Sequence, residues 1–260
     1  MYWNAKSAHT DYAGTQFKNG GKNSGGFDLV FGDSVETIPA NLLYGSSSET
    51  PNVKSVTFGK NVKSVGDYAF YDCVGVTALP EKLEYAGLAA FYGCDNIRDV
   101  TISAGYFGSR AFANCNGLQN VTINGGYFDG SVFWGCENLE NVEVTAGNIC
   151  AGMFGWCYKL KNITIGENVT SMDGGAFDRC FGLEKLYWNA KNLDFTENSF
   201  NNTFEYAGRD SNGVDVVFSD AVETIPAYLF TTTSSDEAKI PNIKTLTIGK
   251  NVTKIGDCAF

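Results

Sequence analysis

Six cysteines fall into a single column. Cys73, Cys94, Cys115, Cys136 and Cys157 are each 21 residues apart, and Cys180 follows 23 residues later. A phenylalanine column runs in step three residues upstream: Phe70, Phe91, Phe112, Phe133, Phe154 and Phe177, with Phe200, Phe230 and Phe260 read as its continuation. Three residues after each of the six cysteines stands an aliphatic residue, namely Val76, Ile97, Leu118, Leu139, Leu160 and Leu183. A fixed period of 20–50 residues is the signature of a stacked repeat, in which each unit is too small to bury its own apolar face. In this register residues 1–260 form one solenoid of about eleven units. Most have 21 or 23 residues; those near 26–52, 183–212 and 213–242 are longer, and the first and last are incomplete.

Each unit opens on an alternating segment, such as Val53-x-x-Val56-x-Phe58, Ile97-x-x-Val100-x-Ile102 or Leu160-x-x-Ile163-x-Ile165. Alternation of β-branched residues predicts a short strand with one buried face. The rest of each unit is too short and too glycine-rich for a long helix, and runs such as Gly59-Lys60-Asn61 read as turns. Stacked units then pair their strands into one parallel sheet over a continuous core. A longer duplication overlies the short one: Asp28–Ala40 corresponds to Asp215–Ala227, and Pro51–Phe70 to Pro241–Phe260. Both termini fall inside a unit, so a longer array is expected, and residues 1–20 show no signal peptide.

The pattern L-x-x-[VIL]-x-[IV]-x-x-x-V-x-x-[IV]-G-x-x-A-F-x-x-C, nearly complete at Val53–Cys73 and Leu160–Cys180, resembles the BspA-like leucine-rich repeat family. The resemblance covers essentially the whole chain. It implies a β-rich solenoid: a right-handed leucine-rich-repeat superhelix with a parallel sheet of short strands and an irregular, short-turn outer side. It also implies an extracellular or cell-surface bacterial protein that adheres to proteins or glycans of a host or of other cells. The 21-residue units depart from the pattern, with Gly105-Tyr106-Phe107 and Gly126-Tyr127-Phe128 replacing V-x-x-I-G. The family carries no shared ligand motif to transfer.

Charge narrows the partners. Nineteen basic and 29 acidic residues leave a net charge of −10, and an acidic surface disfavours nucleic acid and anionic membranes. No apolar run reaches the ~18 residues of a membrane span, so no membrane insertion is expected. Catalysis has little to stand on: the one histidine, His9, sits in an insertion, and the carboxylates are scattered through turns. The chain is therefore read as a non-enzyme without cofactor or metal site. Asp210–Asp215 has a faint calcium-loop character but reads better as a turn. The column cysteines are read as buried thiols, with one or two adjacent-rung disulfides as the alternative, and Cys150 and Cys258 lie outside the column. Sequons occur at Asn120, Asn162, Asn168, Asn201 and Asn251; Asn120 and Asn162 share a strand position with Asn141 and read as a polar ladder.

Candidate binding residues come from columns that point outward. On the strands these are Val30, Thr57, Pro80, Thr101, Thr122, Glu143, Thr164, Tyr187, Val217 and Thr247, preceded by Tyr2. Tyr2, Val30, Tyr187 and Val217 make the two ends apolar, and the middle is threonine-rich. Two further aromatic sets, Tyr85/Tyr106/Tyr127 and Tyr71/Tyr92/Trp134, belong on flanking surfaces. Aligned aromatics either grip a partner or pack along the stack and shield its core. A purely structural spacer is the second reading, and uncapped terminal coils predict end-to-end self-association.

Overall fold

The computed structural model describes residues 1–4, 17, 19–44, 50–193, 202–232 and 237–260. Among the described residues it is a parallel β-solenoid almost without helix, with a short 3₁₀ turn at Glu237–Lys239. The alternating segments form the main strands. Asp99–Ile102, Asn120–Ile123, Asn141–Ile149, Asn162–Met172, Lys185–Trp188, Val214–Phe218 and Ile243–Ile248 pair in chain order into a seven-stranded parallel sheet. Tyr2–Trp3, Phe27–Phe31 and Val53–Thr57 form a separate three-stranded sheet. The unit between them, opening at Val76, adds no strand to either sheet, and its Pro80 is buried. Pro80 was expected to point outward. Having no N–H, it cannot donate to a ladder, so the sheet breaks there and the ring turns in. At the other positions the register agrees with the expected outward column, from Tyr2↔Val30↔Thr57 and from Thr101↔Thr122↔Glu143↔Thr164↔Tyr187↔Val217↔Thr247.

A second sheet of two-residue strands covers a flank: Thr37–Ile38, Ser64–Val65, Tyr85–Ala86, Tyr106–Phe107 and Tyr127–Phe128, all parallel. The third side, carrying the A-F-x-x-C segment, is no β-sheet. Residues two before and two after the phenylalanine adopt left-handed backbone, as at Tyr68 and Asp72 (φ 54° and 53°) or Arg110 and Asn114 (58° and 55°). The reversals turn alternate N–H groups toward the following coil. Phe70 N donates to Ala90 O at 2.8 Å, Phe91 N to Ala111 O at 2.8 Å, Phe112 N to Val132 O at 2.9 Å, Phe133 N to Met153 O at 2.9 Å and Phe154 N to Ala176 O at 2.8 Å. The peptide groups therefore line up head to tail along the stack, so their dipoles add instead of alternating as in a β-sheet.

The core is the two predicted columns. Adjacent phenylalanines stack with centroids 5.3–5.5 Å apart from Phe70 through Phe177. Each buried ring contributes about 1.5–3 kcal/mol. After Phe177 the rung is Phe204, at 5.3 Å and 5°, followed by Phe230 and Phe260. By count Phe200 is expected on this rung; Phe200 and His9 both lie outside the described residues.

All eight cysteines are free, with the six column thiols buried. Cys94 Sγ donates to Phe70 O at 3.2 Å, Cys115 Sγ to Phe91 O at 3.1 Å and Cys136 Sγ to Phe112 O at 3.2 Å, with Cys157 and Cys180 bonded likewise to Phe133 and Phe154. Phe70 O, Phe91 O and Phe133 O also accept the N–H of the cysteine in their own unit, from Cys73 N at 3.1 Å, Cys94 N at 3.2 Å and Cys136 N at 3.4 Å. Cysteine suits the column because it is a small hydrophobe with a weak donor that reaches this carbonyl's second lone pair.

The long duplication recurs in the bonding. Asp33 pairs with Lys60 at 3.1 Å and accepts its backbone N–H, as Asp220 does for Lys250 at 2.9 Å. Ser55 Oγ donates to Asp28 at 2.5 Å, and Thr245 Oγ1 to Asp215 at 2.6 Å. The asparagine column is a hydrogen-bonded ladder: Asn162 donates to Asn141 at 2.8 Å, Asn141 to Asn120 at 2.8 Å and Asn120 to Asp99 at 2.6 Å. Residues 208–212 form a turn in which Ser211 Oγ donates to Leu183 O at 2.7 Å.

Candidate binding surface

The structure distributes the predicted aromatic residues over three faces and does not gather them into one cleft. On the main strand face, Tyr2 (80% exposed) pairs with half-buried Val30 at one end. Tyr187 (39%) pairs with half-buried Val217 toward the other, separated from the first pair by the threonine-rich stretch. Lys185 Nζ lies 4.6 Å from the Tyr187 ring.

On the flank, each short strand puts its first side chain outward, so Tyr85, Tyr106 and Tyr127 form a ring ladder. Centroids are 5.6 and 6.0 Å apart and the planes 16° and 13° from parallel. Tyr85 and Tyr127 are exposed and Tyr106 between them is half-buried. The Tyr106 hydroxyl donates to Asp129, and that bond, with burial second, pushes its pKa up to about 12. The phenol is thus a fixed, neutral donor at physiological pH.

On the turn side, Tyr71 and Tyr92 stack at 4.6 Å and 1°, and Tyr44 and Tyr68 pack against Tyr71. Burial pushes the Tyr71 phenol up to about 12, with Asp72 adding to it. Asn114 Nδ2 donates to the Tyr92 hydroxyl oxygen. Beyond this gap the aromatic line resumes with Trp134, Trp156, Tyr158 and Phe181. Arg179 places its guanidinium 4.6 Å from the Trp156 ring and 4.8 Å from that of Tyr206, and Arg209 covers Phe181 at 3.8 Å. Beneath Arg179, burial pushes the Asp178 carboxyl up to about 6, against the pull of Arg179 itself.

Tyr71, Tyr92 and Trp134 share the position after a ladder phenylalanine. Trp156 and Tyr206 occupy the next position, and Tyr158 and Phe181 the one after the cysteine. The repeat register contained both columns. Among the described residues, no helix is long and apolar enough to cross a membrane, and no group of three His, Cys, Asp or Glu could hold a metal ion.

The family model for the BspA type leucine rich repeat region matches in six copies, over residues 36–148, 106–207 and 130–260. No curated protein matches the chain. Among solved structures, the chain is similar to a leucine-rich repeat protein from Bacteroides ovatus, at 18% identity over 88% of this chain and 74% of that one, with a TM-score of 0.42. It is also similar to a leucine rich cell surface protein from Faecalibacterium prausnitzii, at 15% identity over 88% and 78%, with a TM-score of 0.27. The family model spans most of the sequence, and the chain belongs to the BspA-type leucine-rich repeat family.

Proposed function

We propose that the chain is the partner-binding segment of a bacterial surface or secreted protein, engaging a protein or glycan on host or neighbouring cells, with no catalytic role. The observation that carries this reading is the exposed ladder of Tyr85, Tyr106 and Tyr127 on a rigid flank. Tyrosine offers a large amphipathic contact for little rotamer entropy, and rings already held in register lose still less on binding. The test is adhesion of host cells to the immobilised chain, compared with a chain in which the three tyrosines are serine.

A structural spacer is the second reading, favoured by the head-to-tail hydrogen bonds that join coil to coil along the turn side. A stalk predicts that the serine variant adheres no less than the parent.

The two ends add a further element. Leu246, Ile248, Ile255 and Phe260 are 42–52% exposed on the last coil, and Met1 and Tyr2 are 56% and 80% exposed on the first. Apolar coil faces with open strand edges favour end-to-end association of this 260-residue chain. Light scattering with mass rising with concentration is the expected result; a constant monomer mass contradicts it.

A further inference from the structure

Three columns that each unit supplies once converge on the turn side between Cys115 and Cys157. The position after the ladder phenylalanine gives Trp134, the next gives Asn114, Gly135 and Trp156, and the position after the cysteine gives Asn116, Glu137 and Tyr158. Together they line an open hollow of about 290 Å³. Gly135, at a left-handed position (φ +71°), leaves the floor without a side chain.

The hollow's walls differ from the packed rings elsewhere. Trp134 and Trp156 meet at 42° and Trp156 and Tyr158 at 49°, whereas the core phenylalanines beside them lie 3–9° from parallel. All three rings border the hollow. Trp156 also stands where the backbone is left-handed (φ 63°), a column that preceding units fill with Asp72, Gly93, Asn114 and Gly135. Those residues tolerate this conformation, while a bulky side chain costs about 1–2 kcal/mol there. Arg179 and Tyr206 continue the column with the same backbone (φ 60° and 61°); Trp156 has the Arg179 guanidinium 4.6 Å from its ring and, half-exposed, lines the hollow. Among the described residues the exposed Glu137 carboxylate has no ion pair or hydrogen-bond partner.

From this arrangement we propose that the hollow binds a neutral pyranose, a hexose or N-acetylhexosamine unit of a glycan. A pyranose has an apolar C–H face for the indoles and a rim of hydroxyls for the Asn114 and Asn116 amides and the Glu137 carboxylate. Pockets of this kind pair aromatic walls with a few convergent polar groups. The free carboxylate and the net charge of −10 oppose sialylated or sulfated sugars. This site deepens the surface-binding reading and rests on it, but it is separate from the tyrosine ladder.

The experiment titrates the whole chain with lactose, mannotriose, cellotriose and N-acetylchitotriose, with sialyllactose and a proline-rich peptide as alternatives, by calorimetry and indole fluorescence. At least one neutral sugar binds and shifts the emission. Trp156→Asn keeps the unfolding temperature, since asparagine suits the left-handed backbone, and weakens binding at least ~10-fold. Glu137→Gln, on an exposed side chain, weakens it at least ~3-fold, and Lys54→Gln, exposed on the strand Val53–Thr57, leaves it unchanged. Overturning results are no neutral sugar bound at ~10 mM, well above the ~1 mM of weak complexes, binding that survives both Trp156→Asn and Glu137→Gln, or binding of only the peptide or sialyllactose. If sugar binding is absent while the tyrosine ladder still supports adhesion, only this site falls. If sugar binds and adhesion is absent, the cell-binding reading falls instead.

Discussion

Cysteine is the residue in which the repeat is most plainly written, and its chemistry here is suppressed. Burial pushes Cys73 up to about 11, Cys150 up to about 12, and Cys94, Cys115, Cys136 and Cys157 well above the ordinary thiol value. Only Cys258 is exposed. Because the thiolate is the reactive form, native protein at pH 8 is expected to give one fast-labelling thiol with a chromogenic disulfide reagent, and eight after denaturation. The slow seven label only through local opening and should stay far slower than Cys258 at both pH 8 and pH 9. Fast modification of two or more in the native state would show that the column is not closed. The spacing predicted a buried column but left disulfides open. The deciding contact, thiol to the preceding coil's phenylalanine carbonyl, depends on backbone orientation that spacing does not encode.

At the scale of elements, coil-to-coil approach is set by glycines on the second sheet. A Cβ on Gly87 would meet Asp67 Oδ1 at 2.0 Å and Asp67 N at 2.7 Å, the second being backbone that cannot step aside. Gly87→Val should therefore destabilise by roughly 2–3 kcal/mol through overpacking, read as a lower urea midpoint. An unchanged midpoint would mean the coils are not in this contact. Strands, turns and register were legible here because period-two alternation and repeat period agree. Two details were not. Pro80 sits at an outward strand position by count, but a residue without an N–H ends the ladder. The rung after Phe177 falls to Phe204 because the unit is lengthened, and counting cannot say which phenylalanine returns to the column.

Across the whole molecule, the stack turns single residues into rows: a phenylalanine spine, an asparagine ladder, a tyrosine flank and a turn side of tryptophans and arginines. The sequence pointed to aromatic columns but not to their grouping, since residues 21 apart are neighbours only once coils align. Trp156 stands one column beyond the position after the phenylalanine and Tyr158 just after the cysteine, and neither column is aromatic in the earlier units. What ligand the rows meet is not encoded in any repeat consensus, because the consensus describes the buried face while contacts are made by the positions free to vary.

The most direct test of a partner-binding surface compares adhesion of host epithelial cells to immobilised parent chain and to the Tyr85→Ser/Tyr106→Ser/Tyr127→Ser variant, with matched folding verified by circular dichroism. Strong adhesion to the parent and a loss of at least ~10-fold for the variant are expected, as when buried aromatic anchors are removed from an interface. Equal adhesion by both chains, or none by either, would contradict it.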